Sequence, residues 1–281
     1  MIQFELVAQG YGLVEAPRVD ARNRLLFSDH LNGGVFRREP EGSIRTLIAD
    51  RKGVGGMAFN HDGGLIMSGE QVALWDESTG AMRELFTGLP GRTGKYFNDL
   101  TVDDHGSLYV GTVNGDSSSA GKERVPPGDL YRVNPGGAPE LLWEGIPASN
   151  GLGFSPDRRL LYHANSMPGQ IWVYDIGEDR GVRGRRLFAS INEGWPDGLA
   201  VDAEGGVWVA VVFSSCVFRY RPDGILDRKV ELPVKKVVSL VFGGPDLCDL
   251  YVVTAQSRSQ KGAIYRGRSD IAGQPLPLAR F

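Results

Sequence analysis

The chain has 281 residues and a formal net charge of −3, with 41% hydrophobic and 23% charged residues. This is the make-up of a soluble globular protein with chain enough for a sizeable core. There is no basic stripe interleaved with aromatics and no apolar run of the roughly 20 residues that cross a bilayer, which argues against nucleic-acid and membrane partners.

The N-terminal stretch MIQFELVAQGYG lacks the basic-then-apolar pattern of a signal peptide. Cys216 and Cys248 have neither CxxC nor CxH spacing, so free thiols and a cytoplasmic location are expected. From Arg18 onward one pattern recurs: apolar strand, turn rich in Asp and Gly, apolar strand. The segments are RVDARNRLLFSD, AFNHDGGLIMSG, TVDDHGSLYVGT, GFSPDRRLLYHA, AVDAEGGVWVA and VFGGPDLCDLYVVTA. Aligned on the last apolar residue before each turn, they are anchored at Val19, Phe59, Val102, Phe154, Val201 and Phe242, with spacings of 40, 43, 52, 47 and 41 residues. Such a period, with several short strands per unit, predicts a propeller of four-stranded blades.

A third strand follows in each unit (GVFRREPEG, QVALWDESTG, GDLYRVNPGG, QIWVYDIGEDRG, CVFRYRPDG, AIYRGR), then a fourth (IRTLIAD, MRELFTG, PELLWEG, RRLFAS, RKVELP). The sixth unit lacks a fourth strand, and IQFELVA at the N-terminus is free to supply it. The expectation is an all-β, six-bladed propeller of residues 1–281 as one domain, its ring closed by the N-terminal strand so that no sheet edge is left exposed. The basic run Arg180, Arg183, Arg185 and Arg186 reads as a solvated turn.

Four residues before each anchor stand Glu15, Gly55, Asn98, Asn150, Asp197 and Val238. Innermost strands line a propeller's channel, so Glu15, Asn98, Asn150 and Asp197 converge on its axis. Two carboxylates and two carboxamides make a hard, oxygen-rich site. It suits calcium first, with magnesium or manganese next and zinc or ferrous iron as alternatives. Asn150-Gly151 and Asp197-Gly198 also resemble turn pairs that bond their own backbone. Asp99, next to Asn98, is expected on the opposite side of its strand, as a structural hydrogen-bond partner or as a group that supports the ligands from behind.

Loops between second and third strands return to the face of these residues. The longest, Val113 to Asp129, is either a lid, with Asp116 within reach of a ligand, or a solvated loop. Others bring His30, Glu70, Asn165, Met167, Phe213 and Arg258, and Trp195 closely precedes Asp197. Trp75, Trp143, Trp172 and Trp208 fall within strands and read as core.

The motifs EAPRVD at Glu15, FNDLTVDDHGSLYVGT at Phe97, SNGLGFSPDRRLLYHANS at Ser149, PDGLAVDAEGGVWVA at Pro196 and FGGPDLCDLYVVTA at Phe242 resemble the gluconolactonase/regucalcin (senescence marker protein) family, which includes luciferin-regenerating enzyme. The resemblance implies a six-bladed propeller with one divalent cation in its channel. It implies Glu15, Asn150 and Asp197 as protein ligands and Asp197 as catalytic base. Asn98 matches an asparagine that contacts substrate or the cation's water, and Asp116 a substrate-contacting glutamate. Three positions depart from the pattern: Tyr96 stands for a substrate-contacting arginine, Val19 for a tryptophan and Asn165 for an aspartate. The expected activity is hydrolysis of a small-molecule lactone, with the cation as Lewis acid and Asp197 as general base, by a monomer or small homo-oligomer. The alternatives are organophosphate or aryl-ester hydrolysis at the same site, or a non-catalytic metal-binding propeller.

Overall fold

Apolar and β-branched residues dominate the short runs between Asp- and Gly-rich turns, and each run forms a strand. The structure, a computed structural model, describes residues 2–89, 95–114 and 126–281. Among them the strands form six four-stranded antiparallel sheets, with no helix. Blade 1 is β2 (Val14–Val19), β3 (Leu25–Asp29), β4 (Val35–Arg38) and β5 (Ile44–Ile48). Blade 2 is β6 (Met57–Phe59), β7 (Leu65–Met67), β8 (Val72–Trp75) and β9 (Met82–Phe86). Blade 3 is β10 (Lys95–Val102), β11 (Leu108–Asn114), β12 (Gly128–Val133) and β13 (Glu140–Ile146). Blade 4 is β14 (Ser149–Phe154), β15 (Leu160–Asn165), β16 (Gln170–Ile176) and β17 (Val182–Ser190). Blade 5 is β18 (Trp195–Val201), β19 (Val207–Val212), β20 (Cys216–Tyr220) and β21 (Leu226–Glu231). Blade 6 is β22 (Val237–Gly243), β23 (Asp249–Thr254) and β24 (Gly262–Arg268), completed by the N-terminal strand β1 (Phe4–Tyr11).

The result is a six-bladed β-propeller, as expected. Its ring closes through antiparallel pairing of β1 with β24, from Phe4 opposite Gly267 to Tyr11 opposite Gly262. The core is not one mass but six wedges between neighbouring blades. Between blades 4 and 5, for example, Tyr162, Ile171 and Val173 meet Leu199, Val209 and Phe218. Each large side chain removed from water in such a wedge contributes about 1.5–3 kcal/mol.

The Asp of the repeated turn has a direct structural job. Asp202 Oδ1 accepts the backbone amides of Glu204 and Gly206 at 3.0 and 2.7 Å. Its Oδ2 accepts Trp208 Nε1 and Arg219 Nε at 2.7 and 2.8 Å, which explains how a carboxylate is buried here. Asp103 and Asp20 grip their own turns in the same way. Cys216 and Cys248 are both free.

The C-terminal segment after β24 joins no blade. It runs across the underside of the ring, tied by Ala203 N to Ala272 O, Ala279 N to Phe59 O and Arg280 N to Gly106 O. Asn60 and the Phe281 backbone exchange two hydrogen bonds at 2.9 and 2.8 Å. Above this segment the lower channel narrows to a small cavity of about 60 Å³, lined in part by Arg18, Leu152, Leu240 and Gln274. No helix among the described residues is long and apolar enough to cross a membrane.

Candidate functional site

The upper end of the channel is built by an irregularity repeated in the innermost strands. The pairing of β2, β10, β14 and β18 with their neighbours breaks between Glu15 and Arg18, Phe97 and Leu100, Ser149 and Leu152, and Pro196 and Leu199. Each break is a bulge, and a bulge re-aims side chains. Glu15, Asn98, Asn150 and Asp197 all sit at these breaks, and each is half-buried between buried neighbours. The equivalent position on blade 2 is Gly55, where an added Cβ would lie 2.3 Å from Asn98 Oδ1, so the glycine leaves room for the asparagine. On blade 6, Val238 is buried.

A chain of hydrogen bonds runs across three blades. Asn98 Nδ2 donates to Asn150 Oδ1 at 2.8 Å and to the Ser149 carbonyl at 3.0 Å. Asn150 Nδ2 donates to Ser166 Oγ at 2.9 Å, and Ser166 Oγ donates to the Pro196 carbonyl at 2.6 Å. Pro196 immediately precedes Asp197. Behind this chain, Ser149 Oγ pairs with His163 Nε2 at 2.7 Å in a fully buried setting. Sequence reasoning passed over Ser166 and His163; the only signal was their place in the YHANS segment that ends β15.

The carboxylates form an acidic group. Burial, then the charges of Asp197 and Asp99, hold the Glu15 carboxyl well above the usual carboxylate range. Burial and the Asp99 charge do the same for Asp197. Asp99 is pushed up to about 6 by burial, against the pull of Arg18. Arg18 Nη2 lies 3.8 Å from Asp99 and donates to the Leu100 carbonyl at 3.0 Å. Among the described residues neither Glu15 nor Asp197 has a basic partner. Each accepts only the amide of the next residue, Ala16 and Gly198.

Asp99 therefore does not stand apart on the far side of its strand. The bulge gives Asn98 and Asp99 a single partner position on β11, and Asp99 is brought into electrostatic contact with Glu15 and Asp197. Arg18, unremarked in the sequence, is the buried countercharge below it. Among the described residues no three His, Cys, Asp or Glu side chains cluster as a metal site on their own. The donor set here is mixed, two carboxylates with two carboxamides.

Tyr96 is half-buried, and a Cβ added at Gly53 would lie 4.0 Å from its ring. Asp116 and most of the long loop around it lie outside the described residues. Asn165 is fully buried and accepts the Ala148 amide at 3.0 Å, so it shapes the turn and does not line the mouth. Trp75 and Trp208 are buried, whereas Trp143 and Trp172 are partly buried on the outer face and hold Arg185 at 4.7 and 3.9 Å from their ring centroids.

Fold and site together define a channel propeller with a recessed, oxygen-lined centre. The model of the SMP-30/gluconolactonase/LRE-like region matches residues 13–256. The chain belongs to that family. It is 30% identical over 288 residues to the 6-deoxy-6-sulfogluconolactonase of Pseudomonas putida, covering 97% of each chain. It is 30% identical over 235 residues to the pentonolactonase XacC of Haloferax volcanii, covering 83% of this chain and 77% of that one. A solved structure of luciferin-regenerating enzyme superposes over the full length of both chains with a TM-score of 0.90 at 23% identity, a likeness of fold.

Proposed function

We propose that the protein is a divalent-cation-dependent hydrolase of lactones, with Asp197 as general base. The observation that carries this reading is the convergence of Glu15, Asn98, Asn150 and Asp197 at equivalent bulges on four blades. Two relatives named as lactonases support the substrate class.

The residues fit a divalent cation. Two carboxylates without a basic partner, raised by each other's charge or that of Asp99, are destabilised in their ionised form until a positive charge lies between them. Oxygen donors of this kind favour calcium, with magnesium or manganese next and zinc or ferrous iron less suited. Glu15, Asn150 and Asp197 would hold the ion, and Asn98 fixes the Asn150 carboxamide. When bound, the cation supplies Lewis acidity at the ester carbonyl and offsets the charge that develops on its oxygen.

The chain's own groups do the rest. Asp197 takes a proton from the water that attacks the carbonyl carbon, and returns it to the ring oxygen as the C–O bond breaks, giving the open hydroxy acid. Asn98 would orient the substrate, with Tyr96 and Asp116 as further contacts.

Hydrolysis of organophosphates or aryl esters at the same site is the second reading, favoured by Tyr96 in place of a cationic contact. One experiment separates the readings. Protein purified without chelators is analysed for metal, stripped, and assayed with each metal restored on aldonolactones, aromatic lactones and phosphotriesters. Calcium-restored lactone turnover supports the main reading. Turnover of phosphotriesters alone supports the second, and cation binding without any turnover leaves a non-catalytic propeller.

A further inference from the structure

Three large apolar side chains of blades 4 and 5 are exposed: Met167 (53%), Trp195 (36%) and Phe213 (50%). Trp195 and Phe213 are in edge-to-face contact, with ring centroids 5.3 Å apart. Trp195 precedes Asp197 by two residues in β18, at the edge of the bulge that carries Asp197. Met167 follows Ser166, whose hydroxyl joins Asn150 to the Pro196 carbonyl. The three side chains thus stand on the same hydrogen-bonded frame as Asn150 and Asp197.

The frame also holds Phe213 outward against a local cost. Its φ of 74° lies in the left-handed region that bulky residues avoid, and Ser215 at 63° follows it. The turn is pinned by Phe213 N to Lys235 O at 2.8 Å and by Ser214 Oγ to Val211 O at 2.8 Å. The rest of the rim carries Leu31 with the polar His30, Glu70 and Arg258. Apolar surface is therefore concentrated on the side of blades 4 and 5, beside the proposed base.

We propose that Met167, Trp195 and Phe213 form a specificity wall that binds an apolar substituent of the substrate, so that the preferred lactone carries an alkyl or aryl group. This inference rests on the lactonase reading for its reaction but not for its binding. A polyhydroxylated sugar ring would leave these side chains in water. An alkyl chain laid on them gains on the order of fourfold in affinity per methylene removed from water.

The test uses matched pairs: a bare lactone and the same ring with a hexyl chain, together with the two corresponding lactams as ligands that resist hydrolysis. Calorimetry of the calcium-loaded protein measures lactam binding, and steady-state kinetics measures lactone turnover. The wall predicts that the hexyl lactam binds at least tenfold more tightly than the bare lactam. It predicts that this ratio, and the ratio of kcat/KM for the two lactones, falls at least fivefold in Trp195→Ala and in Phe213→Gly. The glycine variant relieves the strained φ, so a loss there is not a loss of folding. Equal binding of the two lactams, or ratios unchanged in both variants, overturns the wall. A dimer that becomes monomeric in the two variants by light scattering also overturns it, because the patch then faces a second copy. Failure to turn over any lactone sinks the lactonase reading alone, while the lactam comparison still decides the wall.

Discussion

Asn98 donates its side-chain amide to the Asn150 side-chain oxygen at 2.8 Å, joining the innermost strands of two adjacent blades at the candidate site. The second hydrogen of the same amide goes to the Ser149 carbonyl. Asn98 thus fixes both the carboxamide and the backbone of the neighbouring bulge. Asn98→Ala is expected to weaken calcium binding about 10–100-fold, the usual cost of losing a group that orients a ligand. Titration calorimetry measures this directly. Ser166→Ala acts in the same direction from the other side of Asn150, and an unchanged affinity in both variants would remove the orienting role.

Blades 4 and 5 meet backbone to backbone at Gly151. A Cβ there would lie 2.4 Å from the Leu199 amide nitrogen and 2.6 Å from the Asp197 carbonyl oxygen, both backbone atoms. Gly151→Ala must therefore push blade 5 away from blade 4 and carry Asp197 with it. Overpacking of this kind costs about 1–3 kcal/mol. Denaturant unfolding should show that loss, and turnover should fall further than stability alone requires. A variant of wild-type stability and activity would show that the two strands part without consequence.

Glu15 and Asp197 hold protons more tightly in the folded protein than in the unfolded chain, because of burial first and acidic neighbours second. The folded state therefore binds more protons, and their contribution to stability falls as pH rises from about 4, where unfolded carboxylates ionise, through the raised values. A cation reverses this penalty by favouring the ionised forms. The gain in Tm on adding calcium should be small at pH 5 and larger at pH 8. Thermal unfolding with and without calcium at the two pH values checks it, and equal gains would count against these carboxylates as ligands.

His163 behaves in the opposite sense. Burial, with Arg185 nearby, pushes its imidazole down to about 3. Its contribution is complete above the unfolded value of 6.5 and is lost as pH falls from there toward 3, by about 1.4 kcal/mol for each pH unit. Its partner Ser149 stands beside Asn150, so acid should loosen the bulge as well as the blade. His163→Gln is expected to flatten the fall in Tm between pH 7 and 5, and an unchanged slope would assign the acid lability elsewhere.

The ring was legible because each blade repeats a hairpin whose Asp and Gly turn can be aligned by eye. In the structure that turn is closed by a 2.7 Å hydrogen bond from the Gly206 amide to Asp202. The same alignment placed Glu15, Asn98, Asn150 and Asp197 at equivalent positions. What escaped depends on contacts between blades, which leave no period in the chain. Asp99 shares the channel because a bulge, not strict alternation, governs β10. Arg18 is the charge beside it, and nothing in EAPRVD distinguishes a buried arginine from a surface one. The floor made by residues 269–281 was missed for the same reason: Asn60 and Phe281 are 221 positions apart.

The central claim is that Asp197 is the base of a cation-dependent lactonase. Asp197→Asn keeps an oxygen donor at the site but removes the proton acceptor. The decisive measurement is lactone turnover by this variant, loaded with calcium and shown by calorimetry to have bound it. The account predicts turnover reduced at least a hundredfold with the ion still held. Full turnover in the calcium-loaded variant would contradict it.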